Sequence, residues 1–194
     1  RTDDFQQLAG RLAEHVAKQA TDTDGEGSVD ELLGQAFLGG ADTVEALVTQ
    51  VSAKTGERIV VRRFARYAAA NGRLGAYVHM TGKIGALVEL GAGASEEVAR
   101  DVAMHVAAAR PLAVTAEEIP ADVVERERTV FLEQVRQEGK PEQIQEKIVE
   151  GKLKKYFKEQ ALIEQAFVKD PDTTIGALVG GSGVRRFARY ELGE

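Results

Sequence analysis

The chain contains no cysteine, and this absence removes several kinds of chemistry from consideration. Without thiols there is no disulfide framework, no cysteine-ligated zinc and no thiol nucleophile. A cysteine-free chain fits a reducing compartment, so we expect a cytoplasmic protein. No apolar run reaches the roughly 18 residues that a membrane span requires, and we expect neither a membrane segment nor a secretory leader.

An excess of positive charge is also missing. The chain has 25 Lys and Arg residues against 31 Asp and Glu residues, which gives a net charge of −6. A broad nucleic-acid footprint needs a basic surface, so we expect no direct nucleic-acid binding and only local roles for basic clusters. With three histidines and no convincing catalytic constellation, the sequence predicts neither an enzyme nor a bound cofactor or metal.

One hexapeptide occurs twice, as Arg62–Tyr67 and as Arg185–Tyr190. A second echo precedes it, because the residues around His15 resemble those around His105 in the same order. An internal duplication explains both echoes. The interval from the histidine to the first arginine is 47 residues in the first copy and 80 in the second, so the second copy contains an insertion of 33 residues.

The hexapeptide alternates in a way that suits a β-strand, with Phe64 and Phe187 as core anchors and the arginines on a solvated face. Arginine pairs beside aromatic residues also occur in nucleic-acid contacts, because guanidinium groups bind phosphate while rings stack on bases. We favour the structural interpretation. His15 and His105 are interpreted as duplicated packing positions.

The first third of the chain predicts helices joined by a loose connector. A helix capped by Thr2 runs to about Ala20, and a short helix at Val29–Phe37 interrupts the connector that follows. Thr43 caps a further helix that Gly56 ends, and Arg58–Tyr67 is predicted as a strand.

The next segment predicts a β-hairpin followed by a helix. Leu74–Tyr77 and Ile84–Leu90 form its strands, and His79, Met80, Thr81 and Gly82 form its tip. His79 and Met80 could enter a partner's pocket from this exposed position, or His79 could be an incidental loop residue. Ser95 is the N-cap of the helix that carries His105.

The last third predicts two long helices and a return to the core. A helix at Glu117–Glu138, a Gly-Lys-Pro break and a second helix form a helical hairpin over Ala121–Phe157. Lys152, Lys154 and Lys155 form a basic cluster that is either a helix surface or a docking patch. The remaining predicted elements are a strand at Leu162–Val168, a short helix at Thr174–Val179 and a glycine turn at Gly180–Gly183.

These elements predict an α+β fold with two related core subdomains, in which antiparallel strands pack against helices, and an inserted helical hairpin. The first core subdomain is expected at 1–70, incomplete at its start. The second is expected at 71–114 and 160–194, and the helical arm at 115–159.

Several segments closely resemble bacterial translation elongation factor Ts. They are Ala103–Ala108, Ala116–Pro120, Lys140–Ile144, Glu146–Lys155, Glu164–Asp170 and Arg186–Glu194. The family consists of guanine nucleotide exchange factors for elongation factor Tu, with two α+β core subdomains and a helical dimerisation arm. The resemblance therefore implies binding to elongation factor Tu, promotion of GDP release and a possible homodimer through the arm.

The resemblance also assigns residues to the interface with elongation factor Tu. Thr55 and Gly56 match a contact pair at a helix end, with Thr55 standing where isoleucine is usual. His79 matches a histidine on the hairpin, so Met80, Thr81 and Gly82 are predicted to contact the partner with it.

We expect the family's amino-terminal module and its Thr-Asp-Phe motif upstream of Arg1. We therefore predict that this chain binds elongation factor Tu and dimerises but promotes nucleotide exchange poorly. The alternative is a non-catalytic scaffold or ribosome-associated binding module with the same fold.

Overall fold

The computed structural model describes residues 3–194, which form two compact units. The first unit extends to Ala68 and the second comprises Ala69–Glu194. Both combine helices with small antiparallel sheets, so the predicted α+β class is confirmed. The predicted cap at Thr2 lies outside the described residues.

Residues 3–68 of the first unit form three α-helices, one 3-10 turn at Phe37–Gly39 and two very short strands. Its elements are α1 (Asp3–Gln19), β1 (Gly25–Glu26), α2 (Val29–Gly34), α3 (Val44–Thr55) and β2 (Ala65–Arg66). The α3 prediction is confirmed at both ends. The backbone N–H of Ala46 donates to Thr43 Oγ1 over 3.1 Å, and Gly56 follows the helix in the left-handed conformation with φ 71°.

The predicted strand at Arg58–Tyr67 is wrong for most of its length. Only Ala65 and Arg66 form a strand, and they pair with Gly25 and Glu26. A ladder needs a partner of similar length, and β1 is only two residues long. Phe64 is nevertheless buried at 9% exposure, so the hexapeptide anchors the core without a long ladder.

The second unit is built on a three-stranded antiparallel sheet. Its strands are β3 (Arg73–Val78), β4 (Ile84–Leu90) and β7 (Val184–Glu191), in the order β3-β4-β7. The predicted hairpin is confirmed, and the whole second hexapeptide lies in β7. Helix α4 (Glu96–Ala109) begins after the predicted Ser95 cap and buries its apolar face against this sheet.

The helical arm consists of α5 (Ala121–Gln137) and α6 (Glu142–Gln160). Helix α5 begins four residues later than predicted, because Ala116–Glu118 form a separate 3-10 turn before Pro120. Proline fits the start of a helix but not its interior. The arm has its own apolar seam, with Val135, Val149 and Leu153 buried at its centre.

After the arm, the chain returns through short elements. The predicted strand at Leu162–Val168 is wrong for its first half, which is a 3-10 turn, and is confirmed only at Ala166–Phe167. In that turn the backbone N–H of Gln165 donates to Leu162 O over 3.2 Å, which curls the chain. The elements that follow are β5 (Ala166–Phe167), β6 (Asp170–Thr174) and α7 (Ile175–Val179).

The two buried histidines occupy matching hydrogen-bond networks. His15 Nε2 lies 2.9 Å from Gln35 Oε1, and His105 Nε2 lies 2.9 Å from Gln165 Oε1. In each unit the backbone N–H three residues after the glutamine donates to the histidine Nδ1, over 3.0 Å and 3.3 Å. Since Nδ1 accepts in both, the proton lies on Nε2 in both.

The third arginine of the hexapeptide is also used identically. Arg66 Nε donates to Ala17 O over 3.3 Å, and Arg189 Nε donates to Ala107 O over 3.1 Å. Each carbonyl belongs to the residue two positions after the buried histidine. The duplication seen in the sequence therefore extends to specific contacts in both units.

Candidate partner-binding site at the β3–β4 turn

The turn between β3 and β4 consists of the five residues His79–Lys83 and lies beyond the last strand pair, Val78 with Gly85. The backbone N–H of His79 donates to Ile84 O over 2.9 Å, and that of Gly82 donates to His79 O over 2.6 Å. Gly82 has φ 64°, a conformation that favours glycine. These bonds fix the path of the turn.

Met80 is the most exposed apolar side chain of the described residues, at 92% exposure. Val78, two positions before it, is 69% exposed. Large apolar groups in water cost free energy that a partner recovers on burial, and an unbranched thioether adapts to irregular pockets. The turn therefore offers an apolar contact at its end.

Tyr77 holds His79 in place. The tyrosine hydroxyl lies 3.4 Å from His79 Nδ1, and the two ring centroids are 6.3 Å apart. Nε2 of His79 has no hydrogen bond within residues 3–194, so it is available to a partner. The sequence analysis missed the role of Tyr77. Alternate residues of a strand share a face, so the two-residue spacing of Tyr77 and His79 could have indicated their contact.

Thr55 and Gly56 lie in the first unit, at the end of α3. The Thr55 hydroxyl donates to Val51 O over 2.9 Å, so its methyl group is the part left for an external contact. An added Cβ at Gly56 would meet nothing within 4 Å, which leaves the backbone open to close approach. The partner-binding role of these two residues and of His79–Gly82 stays a prediction.

The contacts of the hexapeptide arginines in β7 bear on the alternative that these arginines bind nucleic acid. In β7 the two leading arginines of the hexapeptide pair with Glu89, a carboxylate only 4% exposed. Arg185 Nη1 lies 3.1 Å from Glu89 Oε1, and Arg186 Nη2 lies 2.6 Å from Glu89 Oε2. These arginines neutralise a buried carboxylate of their own sheet, which supports the structural interpretation.

Within residues 3–194, none of the helices combines the length and the apolar character needed to cross a membrane. The same residues contain no group of three or more histidine, aspartate and glutamate side chains placed to hold a metal ion.

The fold is that of a duplicated α+β protein with a helical arm. A sequence profile described as Elongation factor TS matches residues 1–194. The chain belongs to the elongation factor Ts family.

Curated relatives agree with this assignment. Elongation factor Ts of Alkalilimnicola ehrlichii is 46% identical over 196 residues, which cover 100% of this chain and 64% of the relative. That of Halorhodospira halophila is 46% identical over 94% of this chain and 62% of its own length. That of Thioalkalivibrio sulfidiphilus is 43% identical over 100% of this chain and 64% of its own length. The chain thus spans somewhat under two thirds of these relatives' length.

Proposed function

We propose that this chain binds elongation factor Tu and promotes the release of GDP from it, so that GTP can rebind. Membership of the elongation factor Ts family carries the proposal, and the projecting β3–β4 turn supports it. Translation takes place in the cytoplasm, and we propose that location. The factor itself makes and breaks no bond in this activity.

Linkage explains how binding alone accelerates exchange. A protein that binds the nucleotide-free GTPase more tightly than the GDP-bound form must weaken GDP binding by the same factor. The chain therefore needs contacts that only the nucleotide-free form satisfies. Met80 supplies apolar area for such a contact, and His79 supplies a hydrogen-bonding nitrogen whose ring is held against Tyr77.

The test is the dissociation rate of a fluorescent GDP from elongation factor Tu, measured against the concentration of this chain. The double variant H79A/M80A should need about tenfold more protein for the same acceleration, since burying one methionine side chain alone contributes about 1.5 kcal/mol. Leu112→Ala is the matched control, because Leu112 is an apolar residue, 50% exposed, that is not part of the turn.

Three outcomes are informative. Equal acceleration by the double variant and the wild type would remove the turn from the proposed interface. Binding of elongation factor Tu without faster GDP release would favour the scaffold alternative. Absence of binding in a pull-down would contradict the proposal itself.

We also propose that the helical arm contributes to a homodimer, as the family resemblance implies. Val130 on α5 is 44% exposed and gives the arm an apolar contact. Sedimentation velocity would test this: Val130→Asp should shift the chain toward monomer, because a buried unpaired charge is costly. A monomeric wild-type chain at all concentrations would contradict the proposal.

A further inference from the structure

Helix α6 carries a regular stripe on the side opposite its apolar seam. The stripe consists of Ile144, Lys147, Gly151, Lys154 and Lys158, and all five are exposed. Their spacing alternates between three and four residues, which is the period of a helix that packs lengthwise against another helix. From Lys147 to Lys158 the stripe runs about 16 Å along the axis. We call these five residues the α6 outer stripe.

The lysines of this stripe lack acidic partners. Lys152 and Lys155, which lie off the stripe, pair with Glu138 and Glu159 over 3.6 Å and 3.7 Å. Within residues 3–194, none of the three stripe lysines forms an ion pair.

The spacing of the stripe lysines also costs the helix some stability. Lys154 and Lys158 are four residues apart, where like charges destabilise a helix. Lys158 gains from the carbonyl end of α6, but Lys147 and Lys154 lie too far from that end. Glu150 lies three residues after Lys147 and four before Lys154 and offsets part of this charge, so the stripe keeps a net positive charge with none of its lysines in a close ion pair.

Neither close contacts nor backbone conformation require glycine at position 151, in the middle of the stripe. A Cβ added there would meet nothing within 4 Å, and its φ is not among the positive values that require glycine. Glycine inside a helix costs about 1 kcal/mol relative to alanine. Its position leaves a gap between Lys147 and Lys154 where another backbone can approach closely.

Helix α5 provides the comparison. Its own exposed stripe has the same type of spacing and consists of Asp122, Arg126, Thr129, Glu133 and Arg136. The charges of this stripe balance, and Arg126 Nη2 lies 2.9 Å from Asp122 Oδ2. The α5 stripe is an ordinary solvated face and offers no acidic complement to a second copy of α6.

We propose that the α6 outer stripe binds an acidic amphipathic α-helix of another protein. The period of the stripe fits a helix, its three lysines fit carboxylates at matching positions, and Gly151 lets the two backbones approach. Ile144, 43% exposed, supplies an apolar contact at one end. The stripe has no arginine or aromatic residue, and the chain is acidic overall, so a helical protein fits better than RNA.

The test uses the intact chain and synthetic peptides of three heptads, at physiological ionic strength. One peptide is helical with glutamate at the seam positions, a second has lysine there, and a third is an unstructured poly-glutamate of equal charge. Fluorescence anisotropy should show binding of the acidic helix alone. The variant K147Q/K154Q should weaken this binding about fivefold, because two exposed ion pairs are lost.

Gly151→Gln separates binding from folding. Glutamine is a better helix former than glycine, so the variant should raise the melting temperature of the arm while its side chain fills the gap and weakens binding about fivefold. The controls are Lys155→Gln, which removes a charge off the stripe, and Thr129→Gln on the α5 stripe. Both should leave the affinity unchanged.

Several results would overturn the proposal. They are equal binding of poly-glutamate and the acidic helix, unchanged affinity for Gly151→Gln, displacement of the acidic helix by duplex RNA, and no binding of the acidic helix at all. Self-association that the stripe variants abolish would assign the stripe to a second copy instead and would likewise reject it.

Discussion

The two units share their helix contacts and differ in their sheets. In both, a buried histidine bonds a glutamine, and the hexapeptide arginine bonds a helix carbonyl. Only the second unit pairs its hexapeptide along a full strand, with β4 as the partner. The repeated residues therefore specify packing onto a helix, whereas the length of the strand depends on the presence of a partner strand.

The largest effect is expected from a substitution that breaks the contact between the sheet and helix α4 in the second unit. In β3 an added Cβ at Gly75 would lie 2.1 Å from the backbone oxygen of Ala99, so Gly75→Ala must push the strand off α4. We expect a loss of about 3 kcal/mol in the free energy of unfolding of this unit, since backbone cannot move aside as a side chain can. Urea denaturation followed by amide signals of each unit would measure it.

Gly85→Ala in the neighbouring strand is the control for this substitution. Its Cβ would meet nothing within 4 Å and its φ is not positive, so its effect should be small. Amide signals of the first unit should keep their denaturation midpoint in both variants. Equal destabilisation by the two alanines would show that strand propensity, and not the approach to α4, controls the second unit.

The next largest loss of unfolding free energy is expected when the two histidine networks are broken one at a time. Gln165 is 7% exposed, and its Nε2 also donates to Glu159 O over 2.7 Å, whereas Gln35 is half-buried. Gln165→Leu should cost about 2 kcal/mol, because it leaves buried polar groups of His105 and Glu159 unpaired. Gln35→Leu should cost less, about 1 kcal/mol, because Gln35 is only half-buried and the second network has the additional bond to Glu159 O. Equal losses, measured by the same denaturation experiment, would contradict the difference in burial.

Glu89→Gln tests the ion pairs that Arg185 and Arg186 of the second hexapeptide make within their own sheet. The substitution keeps the shape and removes the charge that Arg185 and Arg186 neutralise. We expect a loss of about 1 kcal/mol, because both arginines are partly exposed and regain water. Asp122→Asn is the control, since the Asp122–Arg126 pair is fully at the surface, and it should change the unfolding free energy by less than about 0.5 kcal/mol.

The sequence predicted the elements whose signals are local. The capping residues Thr43 and Ser95 located the starts of α3 and α4, and alternation located β3 and β4. The strand predicted at Arg58–Tyr67 failed because alternation cannot show whether a partner strand exists. The tip His79–Gly82 was predicted, but the ring contact with Tyr77 was not.

The equivalence of Gln35 and Gln165 was also missed. A repeated Gln-Ala-Phe tripeptide begins at each of them and would have revealed it. That signal is shorter than the hexapeptide, and the inserted arm separates it from His105, so the pairing becomes evident only in the folded chain.

The smallest expected effect is a pH dependence of the second unit. Burial lowers the pKa of His105, against a smaller opposing effect of its hydrogen bond with Gln165. A lowered folded-state pKa means that the native unit holds the neutral ring while the unfolded chain takes up a proton below about pH 6.5. Stability is therefore fully present above that pH and is lost as the pH falls toward the folded-state value.

Geometry gives the same sign, because a proton on Nδ1 would oppose the backbone N–H of Val168. The unfolding free energy should fall between pH 7 and pH 5 with a slope of at most one proton from this group. The variant His105→Gln removes the titrating group and should flatten that part of the slope, even where it is less stable overall. An unchanged slope would assign the pH dependence to other groups and end the link between this network and acid sensitivity.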